Sequence, residues 1–162
     1  MNQEIINAKA EVVKEVTAKA KESGSLTVVE YRGLTVAEIT ALRRSLKEVD
    51  AEMTVYKNTM VERAAKELGY EGLDEALKGP NAYVFSKDAI AGPKILAKAA
   101  KRNEHLVIKG GVVDGKVLSA QDMKVIATLP GRDGLISMFL SCLQAPVRKF
   151  ACTVKAIADK NN

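Results

Sequence analysis

Residues 26–59 read LTVVEYRGLTVAEITALRRSLKEVDAEMTVYKNT, and the fold turns on them. LTVVEY, residues 26–31, is mostly apolar and rich in β-branched side chains, which predicts a strand in the middle of a sheet. Arg32-Gly33-Leu34 turns the chain. Thr35 and Glu38 then stand three apart, the spacing of a capping box that opens a helix. Val36, Ile39, Leu42, Leu46 and Val49 fall on one face of that helix. Arg43, Arg44 and Lys47 lie off it, as expected of an amphipathic element. Residues 52–56 alternate and predict a second strand. Thr59 with Glu62 repeats the capping-box spacing and predicts a second capped helix, with Met60, Ala64, Ala65 and Leu68 inward.

Working outward, residues 3–22 read as a helix with Ile5, Val12, Val16 and Ala20 near one face, ended by Ser23-Gly24. Downstream, Gly79-Pro80 breaks the chain. A third strand covers 82–85 and a helix covers 90–101, with Pro93 tolerable in its first turn. A fourth strand covers 106–113, and Gly110-Gly111 within it predicts a bulge. Asp114-Gly115 is a hairpin turn, and Ser119 caps a helix from 120 to about 129. With the helices at 59–78 set aside, the order is βαβ followed by βαβ. That predicts an α/β (α+β) domain of the ferredoxin-like split βαβ type. It would be a four-strand sheet with helices packed on one face, an added N-terminal helix and inserted helices.

Leu129-Pro130-Gly131-Arg132 is the expected domain boundary, giving a globular unit at 1–129 and a hinge with a protruding C-terminal helix at 130–162. Beyond the hinge acidic residues nearly vanish, and a helical pattern runs to Lys160, with Pro146 expected to kink or restart it. Val147, Phe150, Ala151, Val154, Ile157 and Ala158 form an apolar stripe there. Such a stripe packs back on the domain, docks a partner, or lies on a membrane surface.

The chain has 162 residues, 47% of them hydrophobic, and carries a net charge of +5. Aromatics are 4% and there is no Trp, so the core must be aliphatic. Residues 1–68 hold 11 basic and 11 acidic side chains, so an anionic partner there would need a local basic face. The N-terminus resembles neither a secretory signal nor a transit peptide. The longest dense apolar run has six residues, far short of a membrane span. A cytoplasmic protein is expected. Cys142 and Cys152, ten apart on one helix, are too distant to bridge and read as small apolar fillers.

Enzymatic chemistry finds no foothold. The phosphate-cradling glycine loops and the serine-nucleophile elbow are absent. His105 has no second His or Cys near it, so there is no metal ligand set and no cofactor is expected. Asp88, Asp114 and Asp122 fit caps and turns. The basic residues at 32–63 are more suggestive. Arg32 follows the first strand, Arg43, Arg44 and Lys47 ride the helix surface, Lys57 ends the second strand, and Arg63 sits one turn into the next helix. Residues leaving two parallel strands at one edge can converge, and a helix N-terminus beside Lys57 offers N–H groups to phosphate. Asn58 could hydrogen-bond a base edge or a 2′-hydroxyl. The same spacing also describes a solvated face with an ordinary Asn/Thr cap.

Residues 31–65 resemble the signature of the ribosomal stalk-base family, large-subunit ribosomal protein ten. The matching elements are Tyr31-Arg32-Gly33-Leu34, Leu42-Arg43 and Lys57-Asn58-Thr59. Leu77-Lys78-Gly79-Pro80, Lys109-Gly110-Gly111 and Leu129-Pro130 match further along. The resemblance covers essentially the whole chain and implies a non-enzymatic structural constituent of the large ribosomal subunit. It implies binding to 23S rRNA beside ribosomal protein eleven, through Arg32, Gly33, Arg43, Lys57, Asn58 and Thr59, to which helical geometry adds Arg44 and Arg63. It also implies a C-terminal helix carrying dimers of an acidic stalk protein, which recruit translational GTPases. Residues 146–162 span about 25 Å as helix, room for two such dimers: Val147, Phe150 and Ala151 for the inner, Val154, Ile157 and Ala158 for the outer. A stand-alone RNA-binding regulator or ribosome-assembly factor without stalk dimers is the alternative, and an enzyme built on His105 is a second.

Overall fold

A computed structural model describes residues 3–160 apart from 71, 74 and 104. The elements are α1 (Gln3–Glu22), β1 (Ser25–Glu30), α2 (Val36–Lys47), β2 (Ala51–Thr54), α3 (Asn58–Leu68) and β3 (Asn81–Ser86). They continue with α4 (Ala91–Ala100), β4 (Val107–Val113), β5 (Lys116–Ser119), α5 (Ala120–Thr128) and α6 (Arg132–Lys160). The side chain of Ile5, expected on the inner face of α1, lies outside the described residues. The chain divides into two compact units, one ending at Leu129 and the other beginning at Pro130.

In the first unit the strands order as β2-β3-β1-β4-β5, every neighbouring pair antiparallel. The first four have the ferredoxin-like arrangement, and β5 extends the sheet by a hairpin. Asp114 and Gly115 both have positive φ, 49° and 79°, the twist that a two-residue hairpin needs. β1 is central and buried along almost its whole length, so its two faces meet two different cores. Leu26 and Val28 join Val13, Val16, Val61, Leu73, Tyr83 and Phe85, the layer made by α1 and α3. Val29 joins Leu42, Leu46, Val84, Leu96, Ile108 and Met123, the layer made by α2, α4 and α5. The expectation of helices on one face is thus corrected. The two crossover helices share a face, while the added α1 and inserted α3 cover the other, because a central strand buried on both faces needs a layer on each.

Two local expectations also change. Val36, counted on the inner face of α2, is 81% exposed as the first residue of that helix. The capping box at Thr35 forms as read, Thr35 Oγ1 accepting from the Glu38 N–H and Glu38 accepting from the Thr35 N–H at 2.8 Å. The second one does not: α3 begins at Asn58 with Lys57 as its N-cap and no side-chain cap, which puts Thr59 inside the helix. The bulge is real. Val28 pairs with Gly110 but Val29 with Ile108, so Lys109 is the extra residue. Gly111 pairs with Thr27, and a Cβ there would collide with the Leu26 carbonyl.

The second unit is one helix of 29 residues, about 43 Å long. It runs through Pro146 without a break in assignment, so the expected restart at that residue does not occur. Proline removes one helical hydrogen bond there but does not end the helix. Cys142 and Cys152 are both free and exposed, so neither fills a core.

Candidate nucleic-acid interface and docking helix

β1 and β2 run in the same direction because each is antiparallel to β3, which lies between them. Their C-terminal ends therefore reach the same end of the sheet, opposite Asn81 and Tyr83 of β3. The convergence expected from two parallel strands occurs, one strand wider than an adjacent pair would give. The bulge at Lys109 brings β4 into the same place. Its Nζ forms an ion pair with Glu30 at 2.6 Å and donates to the Lys78 carbonyl at 2.8 Å and to Asn81 Oδ1 at 3.2 Å. Four separate sequence motifs, around Arg32, Lys57, Gly79 and Lys109, so meet at one end of the sheet.

Gly33 turns the chain with φ of +94°, and a Cβ there would lie 3.1 Å from the His105 ring. Only glycine suits both conditions. The Glu38 carboxyl that closes the cap beside this turn is held below the usual carboxylate range, first by the Thr35 backbone N–H.

Asn58 is occupied internally. Its amide Nδ2 donates to the Gly79 carbonyl at 2.8 Å, and its Oδ1 accepts from the Tyr83 hydroxyl at 2.9 Å. Burial pushes the Tyr83 hydroxyl up to about 12, so it remains a donor at any physiological pH. Asn58 fastens the start of α3 to the loop before β3, a job that spacing alone did not suggest. Arg32, Lys57, Thr59 and Arg63 around it are exposed.

Arg43 sits elsewhere. With Lys47 it lines a groove of about 850 Å³ along β2, an edge strand, beside the C-terminal turns of α1 and α2. Lys19 and Lys87 line it too, as do Glu22, Asp50 and Glu52. Lys19 is already engaged: burial would lower its pKa, but bonds to Glu15, Glu52 and Tyr56 hold it raised. Arg32, Arg43, Arg44, Lys47, Lys57, Arg63 and Lys87 form no ion pair among the described residues. Arg44 is exposed on α2 and does not line the groove. The eight expected contact residues thus fall into a cluster at the sheet end, a pair of arginines on α2, and one internal fastener. Lys47, expected on the α2 surface, lines the groove with Arg43, while Lys87 in the groove and Lys109 at the sheet end were not among the expected residues. Only the Lys-Gly-Gly bulge signal could have pointed to one of them.

On α6, Val147, Phe150, Val154 and Ile157 are 51–73% exposed. Ala151 and Ala158 are exposed beside them. The exposed apolar surface begins earlier than expected. Ile136, Met138, Phe139, Leu140 and Leu143 are all at least half exposed. Arg148, Lys149, Lys155 and Lys160 all lie after Pro146, whereas residues 134–147 carry no charged side chain.

The family model described as Ribosomal protein L10 matches residues 4–101, and that described as the Ribosomal protein uL10 C-terminal region matches residues 129–162. The chain is 51% identical over 156 residues to the large ribosomal subunit protein uL10 of Staphylococcus carnosus, covering 96% of this chain and 94% of that protein. It is 50% identical over 161 residues to the protein of the same name from Macrococcus caseolyticus, covering 99% and 94%. The Bacillus licheniformis protein of that name is 50% identical over 156 residues, covering 96% and 94%.

Proposed function

The chain belongs to the ribosomal protein L10 (uL10) family, and from that premise we propose that it ties a mobile stalk to the large ribosomal subunit. As a member it is a structural, non-enzymatic constituent of that subunit. The finer reading is ours. The globular unit binds 23S rRNA, with ribosomal protein eleven as its neighbour. Arg32, Lys57, Thr59 and Arg63 meet phosphates at the sheet end, and Arg43 and Arg44 do so from α2. Gly33 and Asn58 shape that surface. Lys47 and Lys87 extend it along the groove. α6 carries dimers of an acidic stalk protein, through which translational GTPases are recruited.

One observation carries this reading. An exposed apolar stripe of this length is costly in water, and its distal half alone is flanked by four basic side chains. Acidic partners favour that half. The continuous helix is long enough for more than two dimers, but the charge confines acidic ones to 147–160. Two fit there, gripping the inner and outer residue sets at roughly 10–15 Å each.

The test is to purify the tagged chain from cells and identify what accompanies it. Large subunits together with one small acidic protein are expected. RNA recovered without that protein would replace this reading with a stand-alone regulator or assembly factor. Turnover abolished by changing His105 would replace it with an enzyme.

A further inference from the structure

His105 stands in the segment between α4 and β4. β4 begins at the end of the sheet where β1 finishes, with Val107 opposite Glu30. His105 is therefore a neighbour of the Arg32-Gly33 turn, and the two segments touch. A Cβ on Gly33 would lie 3.1 Å from both Cγ and Nδ1 of the imidazole. The ring thus fills the space that a side chain at residue 33 would take. The segment carrying it is anchored on both sides. Leu106, next in the chain, is buried, and its N–H donates to the Asn103 carbonyl at 3.1 Å. The Asn103 side chain bonds in turn to Glu38 in the first turn of α2. Even so, His105 is exposed. A ring backed by glycine, on an anchored segment and open to solvent, is a fixed flat platform.

No other ring among the described residues of the first unit is placed in this way. Tyr31, Tyr56 and Tyr70 are half-buried, Tyr83 and Phe85 are buried, and the chain has no Trp. Asn58, the residue whose chemistry suited a base edge, is occupied by the Gly79 carbonyl and the Tyr83 hydroxyl. Lys109 is held by Glu30, the Lys78 carbonyl and Asn81. Arg32 and Lys57 are exposed at the same end of the sheet, but cations on phosphates position a nucleic acid without reading its bases.

We propose that His105 is a base-stacking residue of the rRNA interface, its imidazole taking the face of one unpaired nucleotide. The proposal rests on the rRNA reading above and adds to it a contact that is not made to phosphate. Unpaired RNA bases that are splayed out stack on aromatic rings, histidine among them. The arginine and lysine beside the platform hold the backbone while the ring takes the base. Glu38 is the acid nearest this ring, and its carboxylate is occupied by the Thr35 N–H at 2.8 Å and the Thr35 hydroxyl at 2.7 Å. Gly33 serves as the floor of the platform, which gives its missing side chain a second purpose beside the turn.

The full chain is titrated with a 23S rRNA stalk-base fragment at several salt concentrations. His105→Ala should weaken binding roughly 5- to 150-fold, the loss expected for one stacked base. Its log–log salt slope should match that of the parent, because a lost stack releases no counterion. His105→Lys, which supplies a charge and no ring, should bind no better than His105→Ala. His105→Trp should bind at least as tightly as the parent. Its indole is the chain's single tryptophan, and RNA should quench its emission. Alanine binding equal to the parent, rescue by lysine, or a tryptophan whose emission ignores the RNA would each overturn the proposal. Should the alanine variant unfold in urea well before the parent, the tryptophan emission still decides. A parent chain that does not bind the fragment would remove the rRNA reading and this contact together, whereas a parent that binds and an alanine variant that binds equally would remove this contact alone.

Discussion

Replacing Thr35 with Ala removes the oxygen that accepts from the Glu38 N–H and half of a reciprocal cap. Urea unfolding should show a loss of about 1 kcal/mol with the slope unchanged. Glu38 gives the pH signature of the same cap. Its folded pKa is depressed, so its contribution is complete above the unfolded value of 4.5. That contribution is lost as pH falls through the folded value. The difference between parent and Thr35→Ala should therefore narrow below pH 4.5. Asn58→Ala should cost about 1–3 kcal/mol, since it orphans the Tyr83 hydroxyl and the Gly79 carbonyl. A variant as stable as the parent would return Asn58 to the list of direct RNA contacts. Arg43→Ala and Lys57→Ala, by contrast, should leave stability unchanged. Each should lower the log–log salt slope of rRNA binding by roughly 0.7–0.9. Titrations at several salt concentrations that match the parent would remove them from the interface. Thr35 was legible in the sequence because a cap is local. Asn58 was not, because its partners lie 21 and 25 residues away and only the folded sheet brings them near.

Among the elements, β1 was readable because Leu26–Tyr31 is mostly apolar and rich in β-branched side chains, which marks a strand in the middle of a sheet. What covers the second face was not readable, since α1 and α3 are amphipathic in the same way as the crossover helices. β2 marks the limit of alternation as a guide. Met53 is buried with Ala51, but pairing stops at Thr54, and Val55 is 49% exposed beyond it. For α6, Pro146 was weighed as a break, yet the helix passes through it. One missing N–H does not outweigh 28 other helical residues. The residues expected to dock partners are exposed, but the stripe starts at Ile136, ahead of the proline that had seemed to bound it. Val154→Asp places a carboxylate in the outer grip only. Native mass spectrometry of the chain saturated with acidic dimers should show one dimer in place of two. Both dimers lost together, or three bound to the parent, would refute the division into 147–151 and 154–158.

The whole molecule has two units, one a layered domain with its own cores and the other a single helix, and the two proposed tasks fall one to each. The domain's buried residues all precede Pro130, so its stability should not depend on α6. The Pro-Gly break after Leu129 made that division visible in the sequence. The proposed partners rest on resemblance, because neither a basic surface nor an apolar stripe names what it binds. The most direct measurement compares the full chain with one lacking residues 131–162. Each is mixed with a 23S rRNA stalk-base fragment and the acidic protein, and the complexes are weighed by native mass spectrometry. The expected result is RNA bound by both chains, with acidic dimers on the full chain alone. A truncated chain that unfolds, fails to bind the RNA, or still carries acidic dimers would contradict the account.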